Sequence, residues 1–331
     1  MKIVFLARRF WPDIGGVEKH VEKLSEELIK KGHSIVVITE SKGKTGKYKG
    51  IEINRIDATN NWFKKFQIWK WMIKNRKLFK DVDLVHAHDV HFWYWPLKFI
   101  YLSKKSYVTF HGYESYPIAL KAKLIRKISE KLADGNIIVG KFIEKYYGTK
   151  ADEIIYGAVS LPNSLRETND PSAIFIGRLD DQTSIMQYVV AVDKIKVSLP
   201  NFKFEVIGDG KYFNKLKKYN PKGFMNNPLK ELEKYNFAFV SRYLGILEAL
   251  AYKKLVFALY EDGVKEDYLK MSPFSNFIVI ESSPEKLAEK VIYFLNHKKE
   301  KEKMINEGYK WVKEQSWENL AEKYIKLWNK N

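Results

Sequence analysis

The sequence predicts an α/β protein of two domains, each built around a doubly wound parallel sheet. The length of 331 residues suits two domains of ordinary size better than one. Short apolar runs rich in strand formers alternate with amphipathic segments, a pattern typical of parallel sheets covered on both faces. One polar segment with a proline near each end, residues 161–171, interrupts the alternation and predicts a linker.

The first predicted domain covers residues 1–165 and opens on an apolar run, Lys2–Ala7, that predicts a strand. A helix is predicted over Val17–Lys31, because its apolar residues recur on one helical face, and Gly32 ends it. Further strands are predicted at Ser34–Thr39, Ile51–Ile56, Asp83–His88, Tyr107–His111, Asn136–Val139 and Glu153–Tyr156.

The second predicted domain covers residues 166–315, where the alternation restarts after the linker. Its strands are predicted at Ala173–Gly177, Lys203–Ile207, Phe237–Ser241, Leu255–Leu259 and Phe277–Ile280. Ser283 stands directly before Pro284, and a proline at the first helical position predicts a helix start.

The composition excludes several classes of protein. The chain has no cysteine, which excludes disulfides and thiolate metal sites. The seven histidines show no metal-ligand spacing, so no metal site is predicted. No run of about 18 apolar residues occurs, so no membrane-spanning helix is predicted. The N-terminus leads directly into a strand and lacks the features of a signal peptide, which favours a cytoplasmic protein.

The net charge of +18 predicts attraction to polyanions. Nucleic acid, an anionic membrane surface and phosphate-bearing substrates all fit this charge, which alone does not choose among them. No recognisable nucleic-acid-binding module occurs in the sequence, and this argues against nucleic acid as the partner.

Ligands of open parallel sheets bind at the carboxyl ends of the strands, so the residues that follow each predicted strand are the first site candidates. We expect these ends to form two sheet edges that face each other across an interdomain cleft. The candidates in chain order are Gly15, Gly16, His88, His111, Gly177, Arg178, Gly208, Gly210, Ser241 and Arg242.

Each candidate has a functional and a structural interpretation. Gly15 and Gly16 would let the backbone approach a diphosphate at a helix N-terminus, or they serve a tight turn. Arg178 would bind a phosphate through two N–H groups, or it is a surface arginine. His111 and Glu248 would contact a ligand, or they are a satisfied structural histidine and a solvent-facing glutamate.

Seven segments in order resemble the family 4 retaining glycosyltransferases, which have the GT-B fold of two Rossmann-like domains. The resemblance runs over nearly the whole chain. The segments are Phe10–Thr39, Asp83–Asp89, Val108–Glu114, Ile174–Leu179, Val206–Gly210, Leu247–Ala251 and Ser316–Tyr324. The last of these is similar to a C-terminal helix that returns to the first domain, which implies that residues 316–331 pack there.

The resemblance implies a sugar transfer from a nucleotide-diphosphate donor with retention and without a metal or other cofactor. Gly15 and Gly16 would face the donor diphosphate or its sugar, with Gly208 and Gly210 also on the donor side. His111 would sit beside the reacting sugar and His88 on the acceptor side. Arg178 would bind the diphosphate, and Glu248 the ribose hydroxyls. The first domain would be the acceptor side and the second would bind the nucleotide sugar.

Two positions depart from the family pattern and predict an altered donor site. Thr183 stands where the family has a basic residue, and Val240 stands where it has its first glutamate. Lys141, Lys211 and Arg242 are candidates for supplying the missing charge. A catalytically silent homologue that binds a partner is the alternative function, and an epimerase of the same fold also remains open.

A basic aromatic segment, Asn61–Lys80, suggests contact with an anionic membrane and hence a lipid-linked or glycan acceptor. Four apolar residues lie on one predicted helical face: Trp62, Phe66, Trp69 and Ile73. In the other interpretation this stripe packs on the sheet and only the lysines reach solvent. A second aromatic run, His91–Tyr101, follows and favours peripheral membrane contact.

Overall fold

The computed structural model describes residues 1–113, 116–166 and 168–330. The chain divides into two compact units. Unit 1 contains Met1–Ile155 together with Trp317–Asn331, and unit 2 contains Tyr156–Ser316. Each unit has one sheet with helices on its faces, so the predicted α/β class with two doubly wound Rossmann-like domains is confirmed.

The sheet of unit 1 has eight strands in the order β3-β4-β2-β1-β5-β6-β7-β8, all parallel except β3. Their bounds are β1 (Lys2–Ala7), β2 (Ser34–Thr39), β3 (Gly46–Tyr48), β4 (Ile51–Arg55), β5 (Leu84–His88), β6 (Lys105–Phe110), β7 (Gly135–Val139) and β8 (Glu153–Ile155). The central strands are apolar and buried on both faces, as expected for a covered parallel sheet.

The helices of unit 1 are α1 (Gly16–Lys30), α2 (Lys64–Lys74), α3 (Trp95–Ile100), α4 (Leu120–Leu132), α5 (Phe142–Tyr147) and α11 (Trp317–Trp328). The C-terminal helix α11 packs against α1 and β8. The chain reverses direction across the sheet between β4 and β5. The right-handed crossover rule therefore places α1 on one face and α2, which connects β4 to β5, on the other.

The sheet of unit 2 has five parallel strands in the order β10-β9-β11-β12-β13. They are β9 (Ser172–Ile176), β10 (Lys203–Ile207), β11 (Phe237–Phe239), β12 (Leu255–Leu259) and β13 (Val279–Glu281). The helices are α6 (Ile185–Ser198), α7 (Tyr243–Ala251), α8 (Gly263–Lys270), α9 (Pro284–Asn296) and α10 (Lys298–Lys313). Helices α6 and α9 pack together, and α7 packs against α10.

The division between the units falls earlier than the predicted boundary at residues 165 and 166. Tyr156 packs its ring near Tyr243 and Phe274 of unit 2. Val159 donates its backbone N–H to the carbonyl of Gln315 at 2.8 Å. These contacts attach Tyr156 and Val159, which precede the predicted linker of residues 161–171, to unit 2.

Among the residues that the structure describes, no helix combines the length and the apolar character needed to cross a membrane.

Candidate functional site

Each sheet has one point where the strand order reverses, and such points form the crevices in which doubly wound sheets bind ligands. In unit 1 the reversal lies between β1 and β5, because the chain first builds outward from β1 through β2 and then continues on the other side of β1 with β5. In unit 2 it lies between β9 and β11. The predicted site residues flank both points.

Three histidines, termed the histidine cluster, meet at the carboxyl edge of the unit 1 sheet. His20 comes from the start of α1, His88 ends β5, and His111 follows β6. Nδ1 of His88 lies 2.9 Å from Nε2 of His111. The ring of His20 lies edge-on to that of His111, with centroids 4.7 Å apart. The structure thus brings two predicted residues together and adds His20, which the sequence did not single out.

The histidines of this region are neutral at physiological pH. Burial is the first cause that lowers the pKa of His20, His86 and His88 far below the ordinary value. Burial and then the charge of Arg126 lower the pKa of His111 to about 3. A neutral imidazole offers one N–H donor and one nitrogen acceptor, so the cluster presents hydrogen-bonding groups without charge.

A chain of hydrogen bonds connects the histidine cluster to α11. The indole N–H of Trp328 can only donate, so it makes Nδ1 of His86 the acceptor at 3.0 Å. The proton of neutral His86 is therefore on Nε2, which donates to Thr109 Oγ1 at 2.7 Å. The Tyr324 hydroxyl lies 2.9 Å from Thr109 Oγ1 and 2.9 Å from Nε2 of His20. The C-terminal helix therefore orients His20.

The loop that carries His111 is fixed from two sides. Asp89 adopts a left-handed backbone conformation with φ of 63°, and its Oδ1 accepts the backbone N–H of His111 at 2.8 Å. Arg126 donates Nη2 to the carbonyl of Gly112 at 2.8 Å, while its guanidinium lies over the ring of Tyr147, 3.6 Å from the centroid. These contacts hold His111 beside His88.

The nitrogen atoms of the histidine cluster lie within 4.8 Å of one another, close enough for the three rings to hold a metal ion. The side-chain Nε2 of His88 is buried and finds no hydrogen-bond partner within the described residues. Sequence spacing could not indicate this group, because its members come from three separate elements. The expectation that the protein works without a metal stays a prediction.

The glycine pair at the start of α1 has only partial support for a ligand role. Gly15 has an extended backbone, and a Cβ there would come 2.3 Å from a carboxylate oxygen of Glu18. Nothing lies within 4 Å of the position that a Cβ on Gly16 would occupy. Gly16 therefore borders open space at a helix N-terminus, which would suit an anion, but Glu18 lies at the same helix end.

Glycines in unit 2 allow two loops to touch at the carboxyl edge of its sheet. Gly208 has φ of 142°, and a Cβ there would lie 1.8 Å from the carbonyl oxygen of Gly177. Gly210 has φ of 146°, and its Cβ would lie 2.9 Å from the carbonyl oxygen of Leu179. The close approach of the loop after β10 to the loop after β9 explains both glycines. Their contact with a donor stays a prediction.

Thr183 and Val240, the two positions predicted to depart from the family pattern, both have structural roles in unit 2. The hydroxyl of Thr183 is buried and lies 2.7 Å from the carbonyl of Arg178 and 2.9 Å from that of Asp180. It therefore stabilises the turn between β9 and α6. Val240 is buried, and its side chain packs beside Gly245.

Two arginines share one acceptor at the reversal point of unit 2. Arg178 follows β9 and donates Nη2 to Oε1 of Gln182 at 3.0 Å. Arg242 precedes α7 and donates Nη2 to the same oxygen at 2.9 Å. Arg178 also places Nη1 3.2 Å from a carboxylate oxygen of Asp180, and 54% of its side chain is exposed. Arg178 and Arg242, together with the Gln182 side chain that both contact, are termed the arginine pair.

A buried lysine supports the loop that carries Arg242. Lys265 at the start of α8 donates its Nζ to the backbone carbonyl of Ser241. Burial and then the nearby charge of Arg242 lower the pKa of Lys265 well below its ordinary value. Glu248 lies further along α7 and is partly buried. Its contact with a ribose stays a prediction.

The aromatic stripe of α2 does not pack on the sheet as a whole. The helix buries Ile68 and Met72 instead. The side chains of Trp62, Phe66 and Ile73 are exposed by 91%, 61% and 42%. Trp69 alone of the four stripe residues turns inward and donates its Nε1–H to the carbonyl of Phe92 at 2.8 Å. The term α2 surface denotes Trp62, Phe66, Ile73 and the exposed basic residues Lys70, Lys74, Arg76, Lys77 and Lys80.

The second aromatic run, His91–Tyr101, is mostly core rather than membrane-facing surface. Its buried members include Phe92, Trp93 and Tyr94. Only the end of the run, at Phe99 and Ile100, is exposed. The buried rings of this run do not support membrane contact, and peripheral membrane contact stays a prediction.

Comparison with known proteins places this fold among glycosyltransferases. The model of Glycosyltransferase Family 4 matches residues 14–159. An uncharacterized glycosyltransferase of Methanocaldococcus jannaschii is 22% identical over 96% of this chain and 95% of its own length. Two solved structures are similar in fold. S. aureus TarM has a TM-score of 0.77 at 12% identity over 99% of both chains. Anabaena HepE has a TM-score of 0.71 at 13% identity over 98% of both chains.

These likenesses confirm the GT-B fold and support a glycosyltransferase. The family match covers the segment that contains Gly15, Gly16 and all three members of the histidine cluster. It does not extend over Arg178, Gln182 and Arg242.

Proposed function

We propose that this protein is a retaining glycosyltransferase that takes a sugar from a nucleotide-diphosphate donor. The observation that carries the proposal is the family match over residues 14–159, which includes the predicted catalytic His111. Unit 2 binds the donor, and unit 1 provides the acceptor side with His88. The acceptor is a glycan or a lipid-linked sugar.

The donor part of the proposal rests on unit 2. Arg178 stands at the reversal point of the sheet, where its guanidinium neutralises the diphosphate and stabilises it as the leaving group. Glu248 accepts hydrogen bonds from the ribose hydroxyls. The solved structures of TarM and HepE were each obtained with UDP, and the HepE structure also contains glucose. These complexes support a nucleoside diphosphate as the ligand class.

His111 acts on the sugar as a neutral hydrogen-bonding group. Its lowered pKa keeps the ring uncharged, so it can contact a hydroxyl without attracting the diphosphate away from the arginines. A contact that strengthens as charge develops on the sugar accelerates the transfer step. The reaction needs no metal in this proposal. We therefore expect chelator treatment to leave turnover unchanged and metal analysis to find no stoichiometric ion in the histidine cluster.

The α2 surface is proposed to contact an anionic membrane, where a lipid-linked acceptor would be found. Exposed aromatic side chains and exposed basic residues together suit a negatively charged headgroup region. We expect flotation with anionic vesicles at low salt but not with neutral ones. The double substitution Trp62→Ser and Phe66→Ser should abolish it. Phe224→Ser is the matched control, because Phe224 is exposed by 60% and lies in unit 2. Equal recovery with both vesicle types would contradict the membrane proposal.

A thermal-shift screen against UDP, GDP, ADP and their sugars tests the central proposal. A ligand that binds only the folded state raises the melting temperature, by an amount set by its concentration relative to its Kd. We expect one base to stand out and its sugar conjugate to be hydrolysed or transferred. No shift with any nucleotide at millimolar concentration would contradict the proposal.

A second candidate function is that of a silent homologue that binds a partner. The observation that favours it is the loss of charge at Thr183 and Val240. Both side chains are buried, and Thr183 is bound to backbone carbonyls. A silent homologue would bind no donor or would bind it without transfer. Detection of free nucleoside diphosphate released from a sugar nucleotide separates the two functions.

A further inference from the structure

We propose that Arg242 and Arg178, joined through Gln182, form a paired cation site for a diphosphate in unit 2. This inference rests on the proposed function and deepens it, because it assigns a binding residue that replaces the charge absent at Thr183. Gln182 is the positioning residue of the pair.

The geometry shows two positive groups held close together by a neutral acceptor. Oε1 of Gln182 receives Nη2 of Arg178 at 3.0 Å and Nη2 of Arg242 at 2.9 Å. An amide oxygen has two lone pairs and accepts both bonds, but it is neutral. Within the described residues, of the two guanidinium groups only that of Arg178 has a carboxylate beside it, with Asp180 3.2 Å from its Nη1. Like charges at this separation repel, and an anion placed between them relieves the repulsion.

The two arginines come from the two strands that flank the reversal point. Arg178 follows β9, and Arg242 follows β11. In the sheet, β10 and β11 lie on opposite sides of β9. Ligands of doubly wound sheets bind in the crevice at such a point. The positive charges therefore meet where the fold itself provides a crevice.

The surroundings fix the backbone of Arg242. Arg242 is the residue that precedes α7, and its side chain does not cap that helix. The carbonyl of Ser241 before it accepts the buried Nζ of Lys265. On the other side of the chain, the N–H of Tyr243 donates to the hydroxyl of Tyr268 at 2.7 Å. The backbone on both sides of Arg242 is thus held.

The ligand chemistry that fits two guanidinium groups is a diphosphate. Each guanidinium can offer two parallel N–H donors to one phosphate group, so a pair suits two linked phosphates better than one. The rest of the turn between β9 and α6 adds no cation, because Thr183 is turned toward the backbone. In this chain an arginine that follows β11 therefore supplies the second positive charge.

The sharpest test is Gln182→Glu, which changes one atom and inserts a negative charge between the arginines. In Gln182→Glu both arginines form charge-assisted hydrogen bonds to the new carboxylate instead of to a diphosphate. We therefore expect the melting temperature of the ligand-free protein to rise and diphosphate binding to weaken more than tenfold. Asn201→Asp is the matched control. It adds the same charge in unit 2 at an exposed position before β10 and should leave binding unchanged.

Arg242→Ala is the companion variant, with Arg242→Lys to retain the charge. Calorimetry uses pyrophosphate, UDP, GDP, ADP and inorganic phosphate on each protein. We expect Arg242→Ala to weaken pyrophosphate and the cognate nucleoside diphosphate about tenfold, while Arg242→Lys recovers part of the loss. Inorganic phosphate should bind weakly to every variant. Circular dichroism confirms that each variant is folded.

The outcomes separate this inference from the proposed function. If Arg178→Ala weakens diphosphate binding while Arg242→Ala and Gln182→Glu match the wild type, the paired site is refuted and the transferase proposal stands. If the wild type binds neither pyrophosphate nor any nucleoside diphosphate, both are refuted.

Discussion

The histidine cluster of unit 1 and the arginine pair of unit 2 occupy equivalent places in their sheets, but the first is neutral and the second carries guanidinium groups. Both flank the reversal point of strand order. Burial removes the charge of His20, His88 and His111, so the first site is polar and neutral. Arg178 and Arg242 both donate to Gln182, so the second site presents two guanidinium groups.

In the proposed function, this difference assigns the two sites to different chemical groups. A neutral site recognises hydroxyl groups through hydrogen bonds, whereas a cationic site recognises phosphate through charge. Side-chain type and burial set the electrostatics of each site, and the sheet sets its position. The four predictions below test whether this division of tasks is real.

Acidification should destabilise the protein through the buried histidines. Five of them have a lowered pKa in the folded state: His20, His86, His88, His91 and His111. Unfolded histidines bind protons below about pH 6.5, so stability is fully present above that pH and is lost as the pH falls. We expect a loss of roughly 1–2 kcal/mol per histidine between pH 6.5 and 5. Thermal melts measure it.

His91→Leu refines this prediction, because His91 is buried outside the cluster and its pKa is lowered to about 3. As the pH falls, the melting temperature of this variant should decrease less than that of the wild type. The difference should equal the contribution of one histidine. A melting temperature that is constant between pH 7 and 5 in the wild type would mean that the histidines are not neutral by burial.

His111→Ala should remove most of the transfer activity while nucleotide binding persists. Loss of one transition-state contact costs on the order of 100-fold in turnover. Initial rates of sugar transfer at saturating donor measure it. His297→Ala, an exposed histidine of unit 2, is the control and should retain full activity. Unchanged turnover in His111→Ala would remove this residue from the reaction.

Glu248→Ala should weaken nucleoside diphosphate binding by roughly 1–3 kcal/mol, the usual cost of leaving a polar contact unmade. Calorimetry with the cognate nucleotide measures the effect. Pyrophosphate, which lacks a ribose, serves as the internal control and should bind both proteins equally. A similar loss for pyrophosphate would show that Glu248 supports the fold of α7 rather than the ribose.

Tyr324→Phe should have the smallest effect, because it removes one hydroxyl and keeps the ring. His20 Nε2 and Thr109 Oγ1 lose a partner, at a cost of about 1 kcal/mol in stability. If the hydroxyl orients the histidine cluster, turnover falls about fivefold without a change in nucleotide affinity. Tyr188→Phe, which removes a buried hydroxyl from unit 2, should lower stability only. Equal turnover in both variants would make the contact purely structural.

The alternation of apolar runs was enough to predict the architecture and nearly all the strands. Lys2–Ala7, Ser34–Thr39, Lys203–Ile207 and Leu255–Leu259 are strands with the bounds that the sequence predicted. The strand Gly46–Tyr48 was not predicted, because this short edge segment has no apolar run and pairs antiparallel only with β4. The carboxyl ends of parallel strands share one edge of the sheet. The sequence therefore also predicts the edge at which the candidate residues lie.

The contacts that complete each site could not be predicted, because they join residues far apart in the chain. His20 and Tyr324 meet only because α1 packs on α11. The pattern His86-Ala87-His88 does indicate that two histidines lie on the same face of the sheet, since alternate residues of a strand share a face. Arg242 was named as one of three possible cations, but the shared acceptor Gln182 needed the folded loops.

The most direct test of the central claim is a paired titration of the cognate nucleoside diphosphate into wild-type, Arg178→Ala and His111→Ala protein, with transfer rates measured on the same samples. If the charged site holds the diphosphate and the neutral site acts on the sugar, Arg178→Ala loses affinity. His111→Ala then keeps its affinity within about twofold while losing transfer. A wild-type protein that binds no nucleoside diphosphate at millimolar concentration, or a His111→Ala variant that transfers normally, would contradict the account.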